Sequence, residues 1–179
     1  MENTAKSSKS YLQFGLIFGL ILILLFVIVY ALGMDPVENK AIGLTQSILS
    51  NLILPILFIY LGCISFKKSN NGYASFVECL KVGVSIAFVA GLIFAIFNLI
   101  FNFIFPEYAM ELIRVQRQIM LTQNPNMTSE QIDMALTIAK KLSSPIFAFP
   151  TILIMFSFLG FIYSLIVGLL VKKDNPQGF

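Results

Sequence analysis

The sequence predicts an all-α integral membrane protein: four transmembrane helices, with an extracytoplasmic amphipathic helical hairpin between spans three and four. Three observations carry that expectation. The chain of 179 residues is 58% hydrophobic and only 12% charged, against about 25% charged in soluble domains. It holds four long uncharged runs, Phe14–Met34, Ala41–Phe66, Val82–Pro106 and Leu142–Val171, and a helix needs about 20 apolar residues to cross the hydrocarbon core. Between the last two runs the charges return together, at Glu107, Glu111, Arg114, Arg117, Glu130, Asp133, Lys140 and Lys141.

Hydrocarbon offers no partner to an open backbone amide, so runs of this kind become helices. The alternating pattern of a membrane barrel is absent. A single domain, 1–179, is expected, with spans about 12–34, 45–66, 75–105 and 144–171 and a helical insertion about 107–142. The first run follows Lys6 and Lys9, but its apolar stretch exceeds the 7–15 residues of a signal peptide, so it reads as a span.

The connections set the topology. Asp35–Lys40 is short, with Pro36 as its breaker, and "KKSNNG" is a tight polar turn. Spans one and two, and two and three, are therefore antiparallel neighbours. Four spans put both termini on one side, with Lys6, Lys9, Lys67, Lys68, Lys81, Lys172 and Lys173. Lys40, Arg114, Arg117, Lys140 and Lys141 fall on the other side. Cytoplasmic loops are enriched in Lys and Arg, which places both termini in the cytoplasm. Cys63 and Cys79 then lie near a reducing compartment, and free thiols are expected.

The insertion reads as two helices with a turn at Asn124–Pro125–Asn126. Ala109, Leu112, Ile113, Ile119 and Met120 line the first at helical spacing. Thr128 and Gln131 fit a capping box at the start of the second. Ile132, Ala135, Leu136, Ala139 and Leu142 form its face. This second helix is expected to run nearly continuously into span four, bent at Pro145 or Pro150. Pro55 interrupts span two, where it removes a hydrogen bond and kinks the helix.

Small residues recur at helix-packing intervals. Gly83, Ala87, Gly91 and Ala95 repeat along span three, Gly160, Ser164 and Gly168 along span four, and Gly15 and Gly19 along span one. Such stripes let membrane helices approach closely. They could join helices within one chain or build a homo-oligomer, and the first use is favoured. Gln46, Asn51, Asn98 and Asn102 are the candidate polar intramembrane residues. They could line a polar pocket near the outer side, or make ordinary interhelical hydrogen bonds, the favoured reading.

"GYASFVECLKVG", Gly72 to Gly83, holds the sharpest candidates. Glu78 and Lys81 are three apart and share a helix face. Lys81 can snorkel to the surface, and Glu78 can pair with it, or with Lys67 or Lys68. Ser75 with Glu78 fits a capping box, and Tyr73 suits an interfacial belt. Two readings stand side by side: an interfacial anchor, or a substrate or proton site built on Glu78.

This block, with "SSKSYLQFGLIFGLI", "FPEYAMELIRVQRQIM", "MTSEQIDMALTIAKK" and the terminal "KKD", resembles the bacterial membrane proteins catalogued as domain of unknown function 4199. The resemblance covers nearly the whole chain. It implies a small four-span protein with an outer helical insertion, and it brings no activity and no functional residues; the bacterial inner membrane is the expected location.

Three function classes compete. The first is a non-enzymatic membrane scaffold or partner-binding protein, contacting the bilayer and an envelope protein through residues 107–142. The alternative is an oligomeric small-solute or ion transporter or channel using the Glu78/Lys81 region, although no inverted repeat is visible. The third is an enzyme, which is not expected: the chain has no His and no Gly-x-Ser-x-Gly elbow, and no cofactor or metal ligand set is visible. Nucleic acid is not an expected partner, because the net charge of +3 is spread over short loops.

Overall fold

The computed structural model describes residues 2–33, 39–124 and 126–175, with the backbone alone for 2–10, 40, 109, 123 and 145. The expected features at Met34, Asp35, Pro36, Glu38 and Pro125 lie outside the described residues. Among the described residues seven α-helices follow one another: α1 Glu2–Ala31, α2 Lys40–Ile48, α3 Leu54–Ser69, α4 Phe76–Ile104, α5 Pro106–Gln123, α6 Ser129–Leu142 and α7 Pro145–Val171. Four stretches of the described residues are long and apolar enough to cross a membrane: Tyr11–Ala31, Ala41–Ser69, Phe76–Ile104 and Ile146–Val171. The protein is a member of the multi-pass class on that ground.

The second of these stretches is not a uniform helix. A π-helical turn, Leu49–Ile53, joins α2 to α3, and the Leu54 N–H donates to the Leu49 carbonyl five residues back. The cause is Pro55, near the start of α3. Proline has no N–H, and its ring crowds the carbonyl four residues earlier, here Asn51. Widening the turn absorbs that conflict. The Asn51 carbonyl gains another donor, the hydroxyl of Tyr163 on α7.

The chain forms two compact units, Met1–Phe94 with Leu153–Phe179, and Ala95–Ile152. In the first, Phe18, Ile59, Ile86 and Val167 are fully or almost fully buried. Phe18 of α1 stacks on Phe58 of α3 with ring centres 5.4 Å apart. Small residues set the remaining approaches. A Cβ added at Gly15 of α1 would fall 2.8 Å from the Ile86 carbonyl of α4. One added at Gly83 of α4 would collide with Ser164 Oγ of α7, and one at Gly160 of α7 with the Ala87 side chain of α4. Gly91 faces Phe156, and Gly168 faces Phe76 and Cys79. The stripes on α4 and α7 thus face each other within one chain. Without apolar burial to drive association in lipid, such backbone proximity supplies the attraction.

In the second unit α5 and α6 pack against each other. Arg117 of α5 stands 3.6 Å from Asp133 of α6, with both side chains largely exposed, so the pair contributes little. Ile132 is the buried contact of α6. Thr128 and Gln131 close a reciprocal capping box at its start. Phe101 of α4 packs on Phe105 and Tyr108 at 4.9 and 5.3 Å.

One expectation is corrected here. The helix after Thr128 does not run on into span four. It ends at Leu142, the Ser143–Ser144 segment breaks it, and Pro145 opens α7. The Ser144 carbonyl accepts from Phe147 N and Ala148 N at 3.0 and 2.8 Å. Pro145 thus occupies the first helical position, where its missing N–H costs nothing, and it starts a helix rather than bending one.

The Tyr163–Asn51 bond makes a testable prediction. In lipid, Tyr163→Phe leaves the Asn51 carbonyl unpaired and lowers stability by about 1–2 kcal/mol. Pro55→Ala restores an N–H donor, so the same Tyr163→Phe change costs less in that background. A double-mutant cycle read by denaturation in mixed micelles checks this; equal costs in both backgrounds would show that the hydroxyl does not answer the proline.

Candidate functional site

The turn joining α3 to α4 is built by short-range backbone bonds. The Asn70 and Gly72 N–H groups donate to the carbonyls of Phe66 and Lys67, each at 2.9 Å. Asn71 and Gly72 have φ of 54° and 82°. Asn tolerates that left-handed region better than most residues, and Gly enters it freely. The chain then leaves the turn extended at Ala74, which is fully buried.

Ala74 pairs antiparallel with Lys173, just beyond α7. The Ala74 N–H donates to the Lys173 carbonyl at 2.9 Å, and the return bond is 2.8 Å. Lys67 Nζ donates to the carbonyl of Val171, the last residue of α7, at 2.7 Å. A cation there satisfies an open carbonyl and complements the negative end of the helix dipole. Lys173 Nζ stands 5.4 Å from the centre of the Tyr73 ring, within cation–π range. Tyr11 of α1 meets Phe66 of α3 edge-on. The start of the apolar part of α1, the α3–α4 turn and the end of α7 therefore share one end of this unit.

Ser75 and Glu78 close the start of α4. The Ser75 N–H and hydroxyl both donate to Glu78 Oε2, at 2.8 and 2.9 Å. The Glu78 N–H donates back to Ser75 Oγ at 3.3 Å. The carboxylate is thereby held by its own helix end, where negative charge is favoured. The expected pairing of Glu78 with Lys81, Lys67 or Lys68 is not made. The ion pairs among the described residues are Arg114–Glu111 and Arg117–Asp133. Two donors within one turn win over a long, flexible lysine. Lys81 itself is exposed, and its carbonyl accepts from Ser85 Oγ at 2.7 Å.

The four polar intramembrane residues divide between the two units. Asn102 Nδ2 donates to the Asn98 carbonyl at 2.8 Å and to Asn98 Oδ1 at 3.1 Å. Both line a small cavity of about 10 Å³ with Leu99, Ser143 and Phe149. That is room for about one water molecule. Asn51 Nδ2 donates to the Ser47 carbonyl at 3.1 Å, and the Gln46 carbonyl accepts from Ser50 Oγ at 2.6 Å. Neither Gln46 nor Asn51 lines that cavity.

Cys63 and Cys79 are free and fully buried, on α3 and α4. Cys63 Sγ lies 3.5 Å from the Cys79 carbonyl, as a weak donor. Among the described residues no three Cys, Asp or Glu side chains cluster as metal ligands. Sequence reasoning missed the latch of Lys67, Val171, Ala74 and Lys173. Its one visible signal is "KK" placed directly after an apolar helix, at Lys172 and Lys173.

The cap separates the two readings of Glu78. Glutamine keeps an acceptor at the third position of a capping box, whereas alanine does not. Glu78→Gln is expected to be near neutral, while Ser75→Ala and Glu78→Ala each cost about 1 kcal/mol. Thermal unfolding of the purified variants measures this. A large loss of function with unchanged stability in Glu78→Gln would instead make the carboxylate a working group.

Comparison with curated proteins and with solved structures found no match. A family model described as protein of unknown function (DUF4199) matches residues 13–173. That span runs from the first apolar helix to the Lys173 that closes the latch, and the chain belongs to this family.

Proposed function

We propose that the protein is a non-enzymatic scaffold of the bacterial inner membrane. Its four apolar stretches form a four-helix bundle, both termini face the cytoplasm, and α5–α6 form an extracytoplasmic hairpin that engages an envelope partner. One observation carries the reading. α5 and α6 alternate charged residues with large apolar side chains that nothing in their own unit covers. Met110, Met134 and Ile138 are 69%, 62% and 56% exposed. They lie beside Glu111, Arg114, Asp133 and Lys141, a mixture suited to a protein surface or to the edge of a bilayer.

A transport reading centred on Glu78 has less support. Its carboxylate is held by Ser75. The π-helical turn at Leu49–Ile53 is accounted for by Pro55.

The experiment places a photo-crosslinking residue at Met134, Ile138 or, as a control, Lys68 in cells. It is run beside impermeant-maleimide labelling of Asn70→Cys and Ser129→Cys, with the native cysteines replaced. Labelling is expected at position 129 and not at position 70. A discrete protein adduct is expected from positions 134 and 138 and not from 68. Labelling at 70 alone would invert the orientation, and the absence of adducts at 134 and 138 would remove the partner role from α5–α6.

A further inference from the structure

We infer that the lysine-bearing end of the unit formed by residues 1–94 and 153–179 is a binding surface for anionic phospholipid headgroups. The inference rests on the membrane placement proposed above and not on the partner of α5–α6.

The surface is assembled from three separate segments. The end of α3 brings Lys68, the first turns of α4 bring Lys81, and the end of α7 brings Lys172 and Lys173. The Ala74–Lys173 backbone pairing holds these segments together. All four lysines are exposed, and none takes part in an ion pair among the described residues. Lys67 differs, because its ammonium is spent on the Val171 carbonyl. Two acids stand nearby in the chain. Glu78 accepts from Ser75, and Asp174 is exposed beside Lys173. Four exposed cations against those two acids leave the end with a positive excess.

The apolar neighbours decide what kind of anion fits. Leu169 and Leu170, within one turn of Lys172, are 62% and 76% exposed, and Val77, one turn from Lys81, is 55% exposed. A soluble acidic protein or a nucleic acid would match the ammoniums and leave these side chains in water. A phospholipid matches both, with phosphate on the lysines and acyl chains on Leu169, Leu170 and Val77. Lysines at that level act as point charges for phosphate, and anionic lipid attracts each one appreciably. Tyr73, beneath Lys173, supplies the amphipathic ring that suits the same depth.

The test uses the full chain in neutral detergent micelles, with phosphatidylglycerol, phosphatidylcholine or inorganic phosphate added. Bound lipid is counted by native mass spectrometry and the unfolding midpoint is recorded. Phosphatidylglycerol is expected to bind in preference to phosphatidylcholine and to raise the midpoint, with no effect of phosphate. Replacing Lys68, Lys81, Lys172 and Lys173 by Gln is expected to lower the preference about five-fold per lysine, while replacement by Arg keeps it. Single Lys81→Gln and Lys172→Gln variants serve if the quadruple variant does not fold. Equal binding of the two lipids, a preference that survives the Gln changes, or an equal effect of phosphate would overturn the inference. Resistance of the same variants to alkaline extraction from membranes is read in parallel. A chain that stays in the membrane but shows no lipid preference overturns this inference alone.

Discussion

An unpaired backbone amide or carbonyl in hydrocarbon costs several kcal/mol, because no water is there to complete it. Most of what distinguishes this chain from four plain apolar rods answers that constraint. Pro55 takes a donor out of the second apolar stretch, and two responses follow. The helix opens into a π turn, with Leu54 reaching back to Leu49, and Tyr163 on another helix donates to Asn51. The hydroxyls of Ser50, Ser85, Ser157 and Ser164 each donate to the carbonyl four residues back. That is how small polar side chains are accommodated within apolar helices. Ser164 shows the benefit: it is fully buried, yet its hydroxyl is satisfied, so it can serve as a small residue against Gly83.

The same constraint governs the helix ends, where four carbonyls or four amides lack partners. At the start of α4 the answer is Ser75 with Glu78. At the end of α7 it is the Lys67 ammonium on Val171 and the backbone pairing of Lys173 with Ala74. These are more than local repairs. The lysine that caps α7 belongs to α3, and Ala74, paired with Lys173, leads into α4. Satisfying one helix end therefore holds three apolar helices in register. Close packing then becomes feasible along the α4–α7 seam, where Gly83 and Gly160 leave no room for a side chain.

How much of this was legible in the sequence depends on the separation of the partners. The apolar stretches follow from run length, and four helices among the described residues are long and apolar enough to cross a membrane. The boxes Ser75–Glu78 and Thr128–Gln131 each lie within one helical turn, so spacing alone exposes them. Facing small-residue stripes were visible as stripes, though not which one faced which. The latch was not legible, because Lys67 and Val171 are 104 residues apart and a lysine near a helix end is usually solvated. The Tyr163–Asn51 bond spans 112 residues and was hidden for the same reason. The break at Ser143–Ser144 was misread as a continuation. Pro145 fits a bend and a first helical position equally well, and the capping bonds of Ser144 decide between them. Asn98 and Asn102 were visible as a pair four residues apart, but their neighbour Ser143 in the small cavity was not.

Accounting for each polar group also narrows where function is to be sought. Glu78 first invites a mechanistic reading because ionisable residues near membrane segments often do chemistry. Its Oε2 accepts both donors of Ser75 at a helix terminus, so a role that uses this oxygen would have to break that cap first, at a cost of about 1 kcal/mol. Buried Ser164 is satisfied within its own helix, by the Gly160 carbonyl. Among the described residues, two places carry exposed charged groups beside exposed apolar ones. One is the set of exposed lysines at the latch end, with Leu169 and Leu170 beside them. The other is the mixed charged and apolar surface of α5 and α6. Both are surfaces rather than enclosed sites. Among the described residues the buried polar side chains are paired, while these charged and apolar groups stand outward together. The proposed binding roles, for lipid and for a partner protein, both start from groups that the fold itself leaves outward.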